Sequence, residues 1–404
     1  MTGLRASKVT ESIVGLVLPG GGARAAYQVG VLKAIADMLP PRARNPFPVI
    51  CGTSAGAINA VAVATHTPHF RAGIRGLEII WRNFHANHIY ETDFSRLSLS
   101  AVQWLIALFF AGIGARRPVS LLDNNPLRAL LTRRVRFERI DQAIEGGDLR
   151  ALAITTSSYN SGESVTFFQG VPELRGWRRA RRVGKPARIR IDHLLASSAI
   201  PAIFPAVAIN REYFGDGSVR HLAPISPALH LGANRILVIG VGEDILQPTK
   251  QKDVLMRPPS LAQIAGHLLD SAFLDTLEGD LERLQRINRT VSLIPEETRR
   301  RENVGLHPVE VLSISPSESL TTIAGRHVRE LPLSMRFFMR GSGATKSSGS
   351  VVMSYLLFER GYCREVINLG YADALRQENR ILRFLGHDPV ALHGAAAQPQ
   401  RDIW

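Results

Sequence analysis

The chain has 404 residues, 45% of them hydrophobic, enough for one large domain or for one domain with a smaller extension. Its two cysteines, Cys51 and Cys363, exclude a disulfide framework. A net charge of +14 favours anionic partners such as lipid head groups or acidic substrates, and the lack of any recognisable nucleic-acid module speaks against nucleic acid.

Residues 1–12 hold no apolar core of the kind a signal peptide needs, so a cytoplasmic protein is expected, with peripheral attachment to the inner face of the membrane as an option. An apolar strand is predicted over 13–18. It runs into Pro19-Gly20-Gly21-Gly22-Ala23-Arg24, a glycine loop whose backbone N–H groups can line an anion-holding concavity, and then into an amphipathic helix over 27–39. A second apolar strand, 49–51, leads to Gly52-Thr53-Ser54-Ala55-Gly56 and an alanine-rich helix over 57–64. This G-x-S-x-G between strand and helix is the pattern of a nucleophile elbow. The small flanking residues permit a sharp turn, and the helix N-terminus stabilises negative charge beside the serine oxygen. His66 and His69 lack partner ligands at suitable spacing, so no metal site is expected.

The run 101–115 is apolar apart from Gln103 and falls short of the ~20 residues of a membrane span. It reads as a buried helix or as a hydrophobic cap touching lipid, with Arg116 and Arg117 at its end. Strands are predicted over 151–156 and 164–168. Arg175, Arg178, Arg179, Arg181, Arg182, Lys185, Arg188 and Arg190 then cluster around Trp177, either as a solvated loop or as a patch for anionic membrane with Trp177 at the interface. A helix over 191–198 follows, with Asp192 in its first turn. Tyr213-Phe214-Gly215-Asp216-Gly217-Ser218 places an aspartate between glycines, and a strand is predicted over 236–240. Residues 247–259 read as a polar linker. Phe273, Leu277, Leu281, Leu284 and Ile287 form the apolar stripe of a helix that packs on the sheet. A flexible loop over 341–350, a helix over 351–358 and a tail over 395–404 complete the chain.

Taken in order, the glycine loop, the serine elbow and the Gly-Asp-Gly turn resemble the patatin-like phospholipase family, with supporting likeness over 196–205 and 224–233. The likeness covers roughly 13–242. The family's glycine loop usually ends in glycine where Ala25 stands, and its aspartate motif in glycine or alanine where Ser218 stands. The resemblance implies an α/β fold: a three-layer α/β/α patatin-like sandwich with a mostly parallel central sheet. It also implies a mainly helical C-terminal extension, giving a lead 1–12, a catalytic domain 13–242, a linker 243–260 and an extension 261–404. It further implies a serine lipid acyl hydrolase, of phospholipase A or lysophospholipase type, that needs no cofactor. Ser54 and Asp216 would form its catalytic dyad and Gly21, Gly22, Ala23 and Ala55 its oxyanion hole, with Gly20, Arg24, Gly52, Gly56 and Gly217 in support. The substrate would be a phospholipid or another acyl lipid. Arg24 would steady the loop or attract a phosphate. The oligomeric state is left open.

Other readings stand beside this one. A Ser–His–Asp hydrolase would draw its base from His221, His307 or His327. A nucleotide-binding protein would use 20–25 as a phosphate loop, although Ala25 replaces a required glycine and the Walker lysine is absent. A membrane-binding scaffold would keep the fold without turnover.

Overall fold

Every residue of Val14–Leu18 (β1) and of Val49–Thr53 (β2) is buried, as expected of parallel strands covered on both faces. The computed structural model describes residues 12–93, 95, 98, 99, 102, 120–221, 223–242, 258, 260–302, 304–341 and 350–389. Residues 1–11, the run 101–115 apart from Val102, most of 243–260, the interior of 341–350 and the tail 395–404 lie outside that set.

The remaining strands are Ala151–Ser158 (β3), Ser164–Gly170 (β4), Trp177–Arg179 (β5), Arg182–Pro186 (β6), Val207–Ile209 (β7), Glu212–Asp216 (β8), Arg235–Ile239 (β9) and Glu310–Ile314 (β10). They form one sheet in the order β10-β9-β1-β2-β3-β4-β6-β5, with the β7–β8 hairpin attached to β3. The run from β10 to β3 is parallel throughout, and antiparallel pairing begins at β4. Alternate side chains divide the core in two. Leu16, Leu18, Ile50 and Ile154 pack under helices Ala26–Met38, Ala55–Ala64 and Phe70–Arg82, whereas Val17, Val49, Cys51 and Ala153 meet Ala228, Leu277 and Leu284 on the other face. The result is the expected three-layer α/β/α arrangement.

The five predicted strands and the helices near 27–39, 57–64 and 191–198 are present within two residues of the expected limits. The stripe begun by Phe273 lies on a helix that packs on the sheet as expected, after one π-helical turn at Ser271–Asp275. Two features go beyond those expectations. The basic stretch includes the β5–β6 hairpin, and the part-buried Trp177 is stacked on Phe168 (5.2 Å between centroids) and set against His230. The C-terminal region also supplies a strand, β10, paired in register with β9.

Helix Arg360–Arg376 crosses helix Ala26–Met38 at a contact that tolerates no side chain. A Cβ on Gly30 would strike the Ile367 carbonyl, and one on Gly370 the Tyr27 carbonyl. Tyr27 donates its hydroxyl to Asp373 (2.9 Å) beside this crossing.

Candidate active site

β2 delivers Ser54 to the C-terminal end of the sheet, where it caps helix Ala55–Ala64. Its backbone angles, φ 55° and ψ −129°, lie where a residue with a Cβ is strained, which is the cost of aiming a side chain off a strand-to-helix turn. Two features hold the turn. Ser54 N–H donates to Ser197 Oγ (2.9 Å), which donates to the Thr155 carbonyl of β3 (2.6 Å). Gly56 lies so close to β1 that a Cβ would strike the Leu18 carbonyl.

β8 pairs antiparallel with β3, setting Asp216 opposite Thr156. The next residue, Gly217, packs between the Thr155 carbonyl and the Thr53 methyl, so the aspartate turn rests directly against the residue before Ser54. Asp216 is wholly buried. Its backbone is fixed by Ala199 and Ser157, and its Oδ1 accepts from Ser218 N–H (2.9 Å). Burial pushes its pKa up to about 6. The Ser54 hydroxyl is foremost among the groups that hold this rise back, yet Oδ2 accepts no formed hydrogen bond. Serine and carboxyl are therefore neighbours in electrostatic contact that are not locked together, a looseness usual in a site without substrate.

The glycine loop follows β1 and enters a short 3-10 helix, Gly22–Ala25, continuous with Ala26–Met38. Gly22 has φ 54°, and a Cβ there would strike the Tyr355 carbonyl. Gly22, Ser54 and Ala55 line a single cavity of about 820 Å³. Gly21 and Ala23 are buried beside it, Gly20 faces Ser218 and the Phe273 ring, and Gly52 packs on the first turn of the Ser54 helix. Below the loop, Gln28 donates to the Pro19 carbonyl, Asn59 to Gln28, and Trp81 to Asn59, a buried chain that ends at the cavity wall. The wall is mainly apolar, with Leu77, Trp81, Phe84, Leu131, Phe204 and Phe358 among its members, and it also carries His66, His88, Arg133 and Arg134.

Arg24 turns away from the cavity and is 3% exposed. Its three nitrogens donate to Ser354 (2.7 Å), Asp270 (3.1 Å) and Thr321 (3.1 Å), with the guanidinium 4.0 Å from the Tyr355 ring centre. Its guanidinium is thus engaged by residues beyond 260 and is not among the groups that line the cavity. Of the three histidines considered as a base, none hydrogen-bonds to Ser54 or Asp216. His221 Nδ1 lies 3.2 Å from Thr53 Oγ1, and burial pushes its pKa down to about 3; His327 sits between Glu330 and Glu365; His307 is exposed. Among the described residues no cluster of three His, Cys, Asp or Glu side chains is placed to hold a metal.

The sequence profile described as patatin-like phospholipase matches residues 16–229, which take in the glycine loop, Ser54 and Asp216 over more than half of the chain. The chain belongs to the patatin-like phospholipase family. Among solved structures it is similar to human GIVD cytosolic phospholipase A2 in complex with methyl gamma-linolenyl fluorophosphonate, at 13% identity and a TM-score of 0.39, covering 95% of this chain and 60% of that one. It is also similar to VipD from Legionella pneumophila, at 11% identity and a TM-score of 0.29, covering 96% and 89%. The chain thus spans 60% of the length of the human protein, and superpositions this loose transfer no residue-level geometry. No curated relative matches it.

Within this patatin-like chain the departure at Ala25 is harmless, because its φ of −65° needs no glycine. Four contributors to the site are not singled out by sequence reading. Ser197 was visible only as part of a stretch resembling the family. Ser198, whose buried hydroxyl has no partner and lines the cavity, carried no signal of its own. Tyr355 and Phe358 reach the cavity from more than 300 residues beyond Ser54.

Proposed function

We propose that the chain is a serine acyl hydrolase of lipid esters, of phospholipase A or lysophospholipase type. The observation that carries this reading is the placement of Ser54, on its strained turn beside the unpaired Oδ2 of Asp216, at the wall of a large, mainly apolar cavity. The cavity lies within the range of small-molecule sites, and its aromatic and aliphatic lining suits an acyl chain.

Asp216 serves as the base. At neutral pH its carboxylate is ionised, and a pKa raised to about 6 makes it a better proton acceptor than an exposed aspartate. It takes the Ser54 proton as Oγ attacks the ester carbonyl. The first N–H groups of a helix have no intrahelical partner. Two helices begin here, at Gly22 and at Ala55, so the N–H groups of Gly21, Gly22, Ala23 and Ala55 supply donors for the developing oxyanion. Collapse of the tetrahedral intermediate breaks the ester C–O bond, and Asp216 returns its proton to the departing alkoxide. Water, deprotonated by Asp216, then attacks the acyl-enzyme, and Ser54 regains its proton as the fatty acid leaves. The residues call for no cofactor.

The test is fatty-acid release from phospholipid vesicles by the parent, Ser54→Ala and Asp216→Asn. Release by the parent, lost by on the order of 1000-fold or more in both folded variants, is expected. Cleavage of a soluble ester through Ser54 without release from vesicles would keep the hydrolase and remove the phospholipid. Silence on both substrates would favour the scaffold.

A further inference from the structure

Three hairpins leave the sheet at the end where Ser54 lies: β3 to β4 through 159–163, β5 to β6 through 180–181, and β7 to β8 through Asn210 and Arg211. Strand register fixes their height. Thr53 is level with Thr155, Thr166 and Gly184, whereas Arg182 is level with Ser164 and Ser157, two residues further out. At about 3.3 Å per residue and about 4.8 Å per strand, the β5–β6 tip stands roughly 7 Å above Thr53 and 15–20 Å to its side.

These tips are basic and partly aromatic. Arg179, Arg181 and Arg211 are exposed and form no ion pair among the described residues, in contrast to Arg178, which is held by Glu163 at 2.6 Å. Arg181 and Arg211 have φ of 56° and 68°, turn positions that favour glycine or asparagine. Both hairpins thus carry a guanidinium where backbone geometry selects against it. Tyr159 and Tyr213, joined by a backbone hydrogen bond of 2.9 Å, are 54% and 44% exposed beside the tips. The nearby carboxylate of Glu212 accepts from Ser158.

We propose that this end of the molecule docks on an anionic lipid bilayer, with Arg179, Arg181 and Arg211 over head-group phosphates and Tyr159 and Tyr213 at head-group depth. Exposed cations without an ion pair among the described residues and half-exposed tyrosines on one edge match the charge and the polarity gradient of such a surface. The aromatic component is the tyrosine pair and not Trp177, whose ring is spent on Phe168. Docking this way turns the Ser54 end of the sheet toward the bilayer. The inference goes beyond the hydrolase reading, and binding is measured in a Ser54→Ala background so that its outcome is separate from turnover.

The experiment is co-sedimentation of the full-length Ser54→Ala protein with neutral phosphatidylcholine vesicles and with vesicles that also contain phosphatidylglycerol, at low and raised salt. Binding to the mixed vesicles alone, weakened by salt, is expected. Arg179→Glu/Arg181→Glu/Arg211→Glu should weaken it on the order of 100-fold or more, since each basic residue near such a surface contributes about fivefold. Tyr213→Ser should weaken it less. The same charge reversals in the Ser54 protein should leave soluble-ester turnover unchanged, and a glutamine triple variant replaces the reversals if they fail to fold. Equal binding to neutral vesicles, undiminished binding by the triple variant, or retention on RNA without vesicle binding would each overturn the proposal.

Discussion

Asp216, the base of the proposed reaction, is also a group whose burial bears on stability. Its folded pKa, about 6, lies above the ordinary aspartate value near 3.9 because burial penalises the anion. Between those values the folded state binds more protons than the unfolded one, so this group makes stability fall as pH rises through that window and leaves the fold at a constant disadvantage above it. Asp216→Asn, nearly isosteric and uncharged, is therefore expected to melt at a higher temperature than the parent at pH 8, by a free energy of at most about 3 kcal/mol, with the gain shrinking toward pH 4. Thermal melts across pH read this directly. For the parent, the same pKa predicts a kcat/KM on a soluble ester that rises with pH up to a limb near 6. A limb near 4 would mean that the carboxyl is more hydrated than its burial implies. Ser54 and Asp216 were legible because their glycine settings are local in sequence. The setting of His221 was not legible, since only the fold puts its ring against Thr53 and buries it so that its pKa falls to about 3.

At the scale of elements, the glycine loop is held from outside the stretch that resembles the family. Every hydrogen-bonding partner of the Arg24 side chain lies beyond residue 260, and the Tyr355 backbone presses on Gly22. Arg24→Lys keeps the charge and loses the three-way fork. Three of the proposed oxyanion donors, Gly21, Gly22 and Ala23, directly precede Arg24, so kcat should fall by about tenfold to 100-fold, below the loss of a donor outright, with KM little changed and the acid limb unmoved. Steady-state kinetics on a soluble ester checks this; a raised KM at constant kcat would instead make Arg24 a substrate contact. The sequence announced the loop and left Arg24 to steady it or to attract a phosphate; the partners of its clamp, more than 240 residues further on, only the fold brings to it. Nor did it announce β5 and β10. Trp177–Arg179 is too short and too charged to show a strand pattern, and Glu310–Ile314 is a five-residue edge strand whose state is decided by pairing with β9.

For the molecule as a whole, we propose that residues 13–242 and 261–404, which composition separates as a domain and an extension, fold as one cooperative unit. Their contacts interlock at four places: β10 on β9, the Gly30–Gly370 helix crossing, the Arg24 clamp, and Phe358 among Trp81 and Phe84 in the cavity wall. A chain ending at Gly242 would lose all four. It would expose the hydrogen-bonding edge of β9, an invitation to intermolecular pairing, and the apolar face of helix Ala26–Met38. It would also remove every partner of the Arg24 guanidinium: Asp270, Thr321, Ser354 and the Tyr355 ring. The expected product is aggregated or unfolded, with no cooperative melt and no labelling of Ser54 by a serine-reactive phosphonate, whereas the full chain gives both. Size-exclusion chromatography, a thermal melt and probe labelling of the two chains side by side decide the matter. A monomeric, cooperatively melting and labelled 1–242 would show that the glycine loop holds its shape without the C-terminal region, and the Arg24 clamp would then have to be a consequence of folding and not a condition of it.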